Sequence, residues 1–106
     1  MINSDLKLRF LRALAFEIHR KQPPVQAMAD CIEKAGQKGK HRELRPAAAV
    51  LDEEGLAAAM RVAGLIGDET AVVLAEVVNS GDHRLLAGAI SALADHLEQA
   101  IALGQD

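Results

Sequence analysis

Residues 82–101 read Asp-His-Arg-Leu-Leu-Ala-Gly-Ala-Ile-Ser-Ala-Leu-Ala-Asp-His-Leu-Glu-Gln-Ala-Ile. Leu85, Leu86, Ala89, Ile90, Leu93, Ala94, Leu97 and Ile101 follow an i, i+1, i+4, i+5, i+8 rhythm. That rhythm is the apolar stripe of an amphipathic helix about four turns long. Asp82 precedes it as an N-cap, its carboxylate placed to accept a bond from an otherwise unpaired N–H of the first turn. The same period appears near the other end of the chain. Leu6, Phe10, Leu11, Leu14, Ala15 and Ile18 share one face behind a cap at Ser4 or Asp5. Pro23-Pro24 ends that helix, because the residue before a proline is pushed out of the α region.

Between these two helices the punctuation predicts four more. Pro24 suits the first position of a helix over about 24–35, with Val25, Met28, Ala29 and Ile32 on one side. Gly36 supplies a left-handed end. Residues 36–45 read as a basic, glycine-punctuated linker, and Pro46 starts a short helix ending at Gly55. A fourth helix covers about 56–63 and stops near Gly64 and Gly67. Asp68 caps a fifth over 69–79, closed by Gly81. Thr70–Val78 is rich enough in β-branched residues for a strand. Helix is preferred there because the chain offers no second strand to pair with. The fold class predicted is all-α: one domain over residues 1–106, an antiparallel bundle of five to six short helices.

Composition agrees. Of 106 residues 50% are hydrophobic, yet aromatics are only 2%, namely Phe10 and Phe16, so the apolar content is helix-favouring Ala and Leu with Val and Ile. Two rings are too few for a base-stacking nucleic-acid platform, so nucleic acid is not an expected partner. One cysteine, Cys31, excludes an internal disulfide and fits a reducing compartment. The longest uncharged apolar run, Leu85–Ala94, is ten residues. A bilayer span needs about 20, so insertion by this chain is not expected. A cytoplasmic location is. Charge is uneven: residues 1–50 carry +5 and residues 51–106 carry −8, for −3 overall. Either oppositely charged helices neutralise each other inside the bundle, or the surface has a basic and an acidic face that steers partners.

Two stretches then resemble a known domain. One is Phe10-x3-Leu14-Ala15-x2-Ile18-x4-Pro23-x3-Ala27-Met28. The other is Ser80-Gly81-Asp82-His83-Arg84 running into Leu93-Ala94-Asp95-His96-Leu97-Glu98. With Gly55-Leu56 between them, they are similar to the cytoplasmic F domain of bacterial type II secretion and type IV pilus inner-membrane platform proteins. The likeness covers about residues 8–100. Its turn reads Gly81-Asp82-His83-Arg84 where the family has Gly-Glu-x-Ser-Gly. Lys21-Gln22 replaces the glycine usual before the helix-2 proline. Family members carry transmembrane helices after each such domain, so the chain is expected to be an excised domain or a free-standing relative. The resemblance implies a non-catalytic scaffold at the cytoplasmic face of the inner membrane. Its partners would be an assembly ATPase or neighbouring platform proteins. Asp82 is the residue that would inherit the acidic group of the family turn, whose character suits a hard cation such as calcium. Helix capping is the simpler role for it.

No other chemistry survives weighing. His19, His41, His83 and His96 never fall at the i, i+3 or i, i+4 spacing of a helical metal site. Cys31 lies beside Ala29 and Ile32 as a small buried hydrophobe, with no base in view. Gly36-Gln-Lys-Gly39-Lys40 is too short for a phosphate loop. No cofactor and no catalysis are therefore expected. Ala57, Ala58, Ala59, Gly88 and Ala92 read as close-packing positions in the core. The candidate contact surfaces are the basic segment Lys38, Lys40, Arg42 and Arg45 and the acidic group Asp52, Glu53 and Glu54, with a homodimer as one possible assembly. A helical regulatory or ligand-binding protein remains the alternative, and a sizeable cavity between helices would mark it.

Overall fold

The computed structural model describes residues 4–37 and 41–104. Among them are six helices and no strand: α1 (Ser4–His19), α2 (Pro24–Ala35), α3 (His41–Glu54), α4 (Leu56–Val62), α5 (Asp68–Asn79) and α6 (His83–Ala102). The all-α bundle predicted from periodicity is what forms. Each helix packs on the next, and α6 returns to close the circuit against α1 in the most extensive contact of the molecule. The radius of gyration is 12.6 Å, against roughly 13 Å for a folded domain of about 100 residues.

The core follows the stripes. Phe10, Leu11, Leu14, Ala15 and Ile18 are the buried residues of α1, and Leu86, Ala87, Ile90 and Ala94 those of α6, the helix it packs against most. Ala27, Met28, Cys31, Ile32 and Ala35 line the inner face of α2. Leu56, Ala57, Ala59 and Met60 do the same for α4. Many of these residues are alanines, which lets the helices approach closely around Leu14, Ile18, Met28, Met60 and Ile90. No polar or charged side chain is buried among the described residues. The core is apolar throughout, so removal of water from hydrocarbon surface drives the packing.

The residues before Pro46 differ from expectation. Residues 41–45 are helical, and Pro46 sits inside α3 instead of starting it. Leu44, Ala47 and Leu51 explain why. They stand at i, i+3 and i+7 and are 0, 0 and 3% exposed. Burying Leu44, at about 2 kcal/mol, and adding helical turns offset a proline whose interior cost is about 3 kcal/mol. Lys38 and Lys40 lie outside the described residues.

Three turn assignments also change. Gly36 is right-handed (φ −61°, ψ −38°), because its N–H still reaches the carbonyls of Ile32 and Glu33 and α2 runs on as a wider turn through residues 36–37. Among the described residues the one non-glycine residue in the left-handed region is Lys21 at φ 70°, between α1 and α2, a conformation costing about 1 kcal/mol. Gly67, not Asp68, occupies the N-cap of α5, and Asp68 faces Arg61 at 3.6 Å. Gly55 alone separates α3 from α4, and its φ of 91° shows why a residue without Cβ stands at that corner.

Thr70–Val78 is helical, as preferred. α5 packs chiefly on α4 and α6; Leu74 is its one fully buried residue, and Val72 and Val73 stand in solvent.

Asp82 caps α6: its Oδ1 accepts from the Leu85 N–H at 3.0 Å. We predict that Asp82→Ala lowers stability by about 1 kcal/mol. Thermal unfolding followed by circular dichroism checks this. The loss should be equal with calcium and with a chelator, since capping requires no cation.

Candidate partner-docking surfaces

Of the residues singled out for contact, Arg45, Asp52, Glu53 and Glu54 are described and exposed on α3, while Arg42 lies in its first turns. Arg45 and Asp52 are seven residues apart, so they share one face about 10 Å from end to end, with Ala48 and Ala49 exposed between them. No ion pair joins them. The two charged groups therefore mark opposite ends of one helix and do not converge.

Two other surfaces carry more structure. The first lies between α1 and α6, whose pairing is antiparallel. Arg12 meets Asp95 at 2.8 Å and Glu98 at 3.2 Å. Further along, Phe16 and His19 line a groove with Arg84, Ala87, Gly88 and Ser91. The groove holds about 440 Å³. Phe16 is 58% exposed and carries the Arg20 guanidinium 5.4 Å from its ring centroid. Gly88 and Ala92 are exposed on α6, which corrects their reading as core-packing positions. A methyl group added at Gly88 would meet nothing within 4 Å.

The second surface lies between α5 and α6. Val72, Val73 and Leu85 are 68, 64 and 52% exposed and line one concavity of about 360 Å³ with Val77, Glu76 and Ser80. Leu85 was expected on the inner stripe of the last helix, but it stands at the stripe's outer edge, 52% exposed beside α5 residues. Val25, 39% exposed, likewise falls at the margin of its stripe.

Electrostatics match neighbouring helices of opposite sign. The cationic α1 lies against the acidic half of α6, and Arg12 bridges them. The hydrogen bond that Arg12 donates to Asp95 and the field of both carboxylates raise its pKa above the usual value. The bridge is exposed, and such pairs contribute little to stability. Its consequence is positional, because it uses up the guanidinium and leaves one carboxylate charge in excess.

Cys31 is buried beneath α1, 5% exposed. Loss of solvation and the nearby Glu17 carboxylate push its thiol up to about 11 from 9.0. The thiol is held protonated at neutral pH and is not poised as a nucleophile. Because its folded pKa lies above the unfolded value, stability is undiminished below pH 9 and falls as pH rises toward 11. Native protein at pH 8 should therefore react with an alkylating reagent at least about 100-fold more slowly than protein in urea, since opening must precede reaction. Comparable rates would contradict the burial.

His19 and His96 are exposed, and His83 is half-buried beside Pro24, Val25 and Leu86. Among the described residues no group of three or more His, Cys, Asp or Glu side chains converges as a metal site would require. No described helix is long and apolar enough to cross a membrane. Comparison with family models, curated proteins and solved structures gives no match.

Proposed function

We propose that this chain is a non-catalytic helical protein–protein interaction module, acting as a scaffold through its helix faces. The observation that carries the reading is the concavity between α5 and α6, where Val72, Val73 and Leu85 stand together in solvent. Exposing three large aliphatic side chains side by side has a cost that a covering partner removes. The charged ends of α3 at Arg45 and at Asp52, Glu53 and Glu54 would add orientation and association rate more than affinity. The resemblance to the secretion and pilus platform domain supplies the partner class: an assembly ATPase or a neighbouring platform protein, met at the cytoplasmic face of the inner membrane.

A capture experiment with the full chain tests this. Val72→Gln with Val73→Lys should leave the fold intact, because both positions are exposed and both replacements favour helix. Proteins retained by the unmodified chain should be lost from this variant. Retention of the same proteins by both chains would overturn the assignment of this face. Turnover of a small molecule by the purified chain would overturn the non-catalytic reading.

A second reading, a regulatory bundle that binds a small ligand, rests on the cleft between α1 and α2. Leu6, Phe10, Ala13, Cys31 and Ala35 line about 320 Å³ there, with Arg9 and Lys34 at its edge. That volume falls at the lower end of the small-ligand range. A ligand that protects Cys31 from alkylation would favour it.

A further inference from the structure

We infer that the α1/α6 face binds a second copy of this chain across a two-fold axis close to Ser91. The inference rests on the interaction reading above and names one partner and its surface.

Arg84, Gly88, Ser91, Asp95 and Glu98 recur along α6 at alternating spacings of four and three. Such spacing keeps five residues in one straight seam facing outward from a helix. Arg12, Phe16 and His19 provide the matching edge of α1. The middle of the seam is small and open, since Gly88 is exposed and a Cβ added there would meet nothing within 4 Å. Phe16, lining the same groove, adds a ring that is 58% exposed with Arg20 over it.

Charge along this seam is polarised. Arg84 and Arg20 mark one end and have no ion pair among the described residues. At the other end Asp95 and Glu98 share the single cation Arg12. His19 is the remaining titratable group lining the groove. Eleven residues separate Arg84 from Asp95, about 16 Å along the helix. That exceeds the screening length of about 8 Å, so the two ends act as separate sites.

A seam with a cationic end and an acidic end is complementary to its own reverse. A two-fold axis perpendicular to α6 performs that reversal and produces an isologous contact. Pairing Arg84 with the copy's Asp95 or Glu98 puts the axis midway between them, near residues 89–91. Gly88 and Ser91 flank that point. The smallest side chains thus fall where two α6 helices come closest, and Phe16 of each copy falls beside the other's groove.

Light scattering on the full chain reads the mass, and the expected value is twice 11.3 kDa. Ser91→Cys should form a disulfide-linked dimer on oxidation, while the unmodified chain, whose Cys31 is buried, should not. Arg84→Glu and Glu98→Arg should each weaken the dimer about tenfold or more by setting like charges opposite each other. An equal mixture of the two variants should restore it, because each contact then pairs opposite charges. Circular dichroism confirms that each variant is folded. A monomeric mass at millimolar concentration would overturn the inference, as would a dimer indifferent to both reversals. A monomer that still captures other proteins would refute only the second copy. A dimer that captures nothing would refute only the wider scaffold reading.

Discussion

Ile90→Ala should lower stability by about 3 kcal/mol, the middle of the range for emptying a buried isoleucine site. Ile90 is 0% exposed on α6, where that helix meets α1. Three methylene-sized groups would leave a void, and neighbours already reduced to Ala87 and Ala94 have little bulk with which to refill it. The melting temperature should fall by about 15 °C for a domain of this size. Chemical denaturation at 25 °C checks the value, and a loss below about 1 kcal/mol would mean that α1 and α6 do not form the central contact. The exposed pair Val72→Gln and Val73→Lys provides the contrast, since nothing in the core depends on either side chain.

Leu44→Ala should cost about 3 kcal/mol as well, for a reason that separates two views of the residues before Pro46. In a solvated linker the same change would stay within about 0.5 kcal/mol. Leu44 is fully buried one turn before Ala47 and is one of the two large side chains, with Leu51, on the inner stripe of α3. Arg45→Ala, its exposed neighbour, should be nearly silent. Equal and small effects at both positions would return residues 41–45 to a linker.

The helices themselves were legible because each carries a periodic stripe and a stop that chain geometry enforces. Gly55, Gly64 and Gly81 are left-handed where helices were expected to end, and Asp82 caps where a cap was expected. The start of α3 was hidden because Pro46 is a strong local signal for a helix beginning. Leu44, the residue that overrides it, declares itself only when paired with Ala47 and Leu51. Local pattern also identifies a stripe without identifying how much of it the neighbours cover. Leu85 belongs to the stripe of α6 by spacing, yet it is half exposed.

The candidate surfaces were less legible than the helices. Charged clusters on α3 stand out in a linear reading, but a helix holds Arg45 and Asp52 about two turns apart. The groove at Phe16 depends on α1 meeting α6, the most distant helices in the chain. No local period specifies that pairing. One clue was present: Phe16 is one of only two aromatics and lies off the apolar face of its helix. The bare valines of α5 had no comparable marker, because a run such as Ala-Val-Val-Leu reads as core until the number of neighbouring helices is known.

The proposal that this bundle works through its outer helix faces is tested most directly by a photo-crosslinking residue placed at Val73 in the living source cell. Covalent adducts to a discrete protein from that position, and none from the exposed Gln26 on α2, are the result expected. Adducts equally from both positions, or from neither, would contradict it.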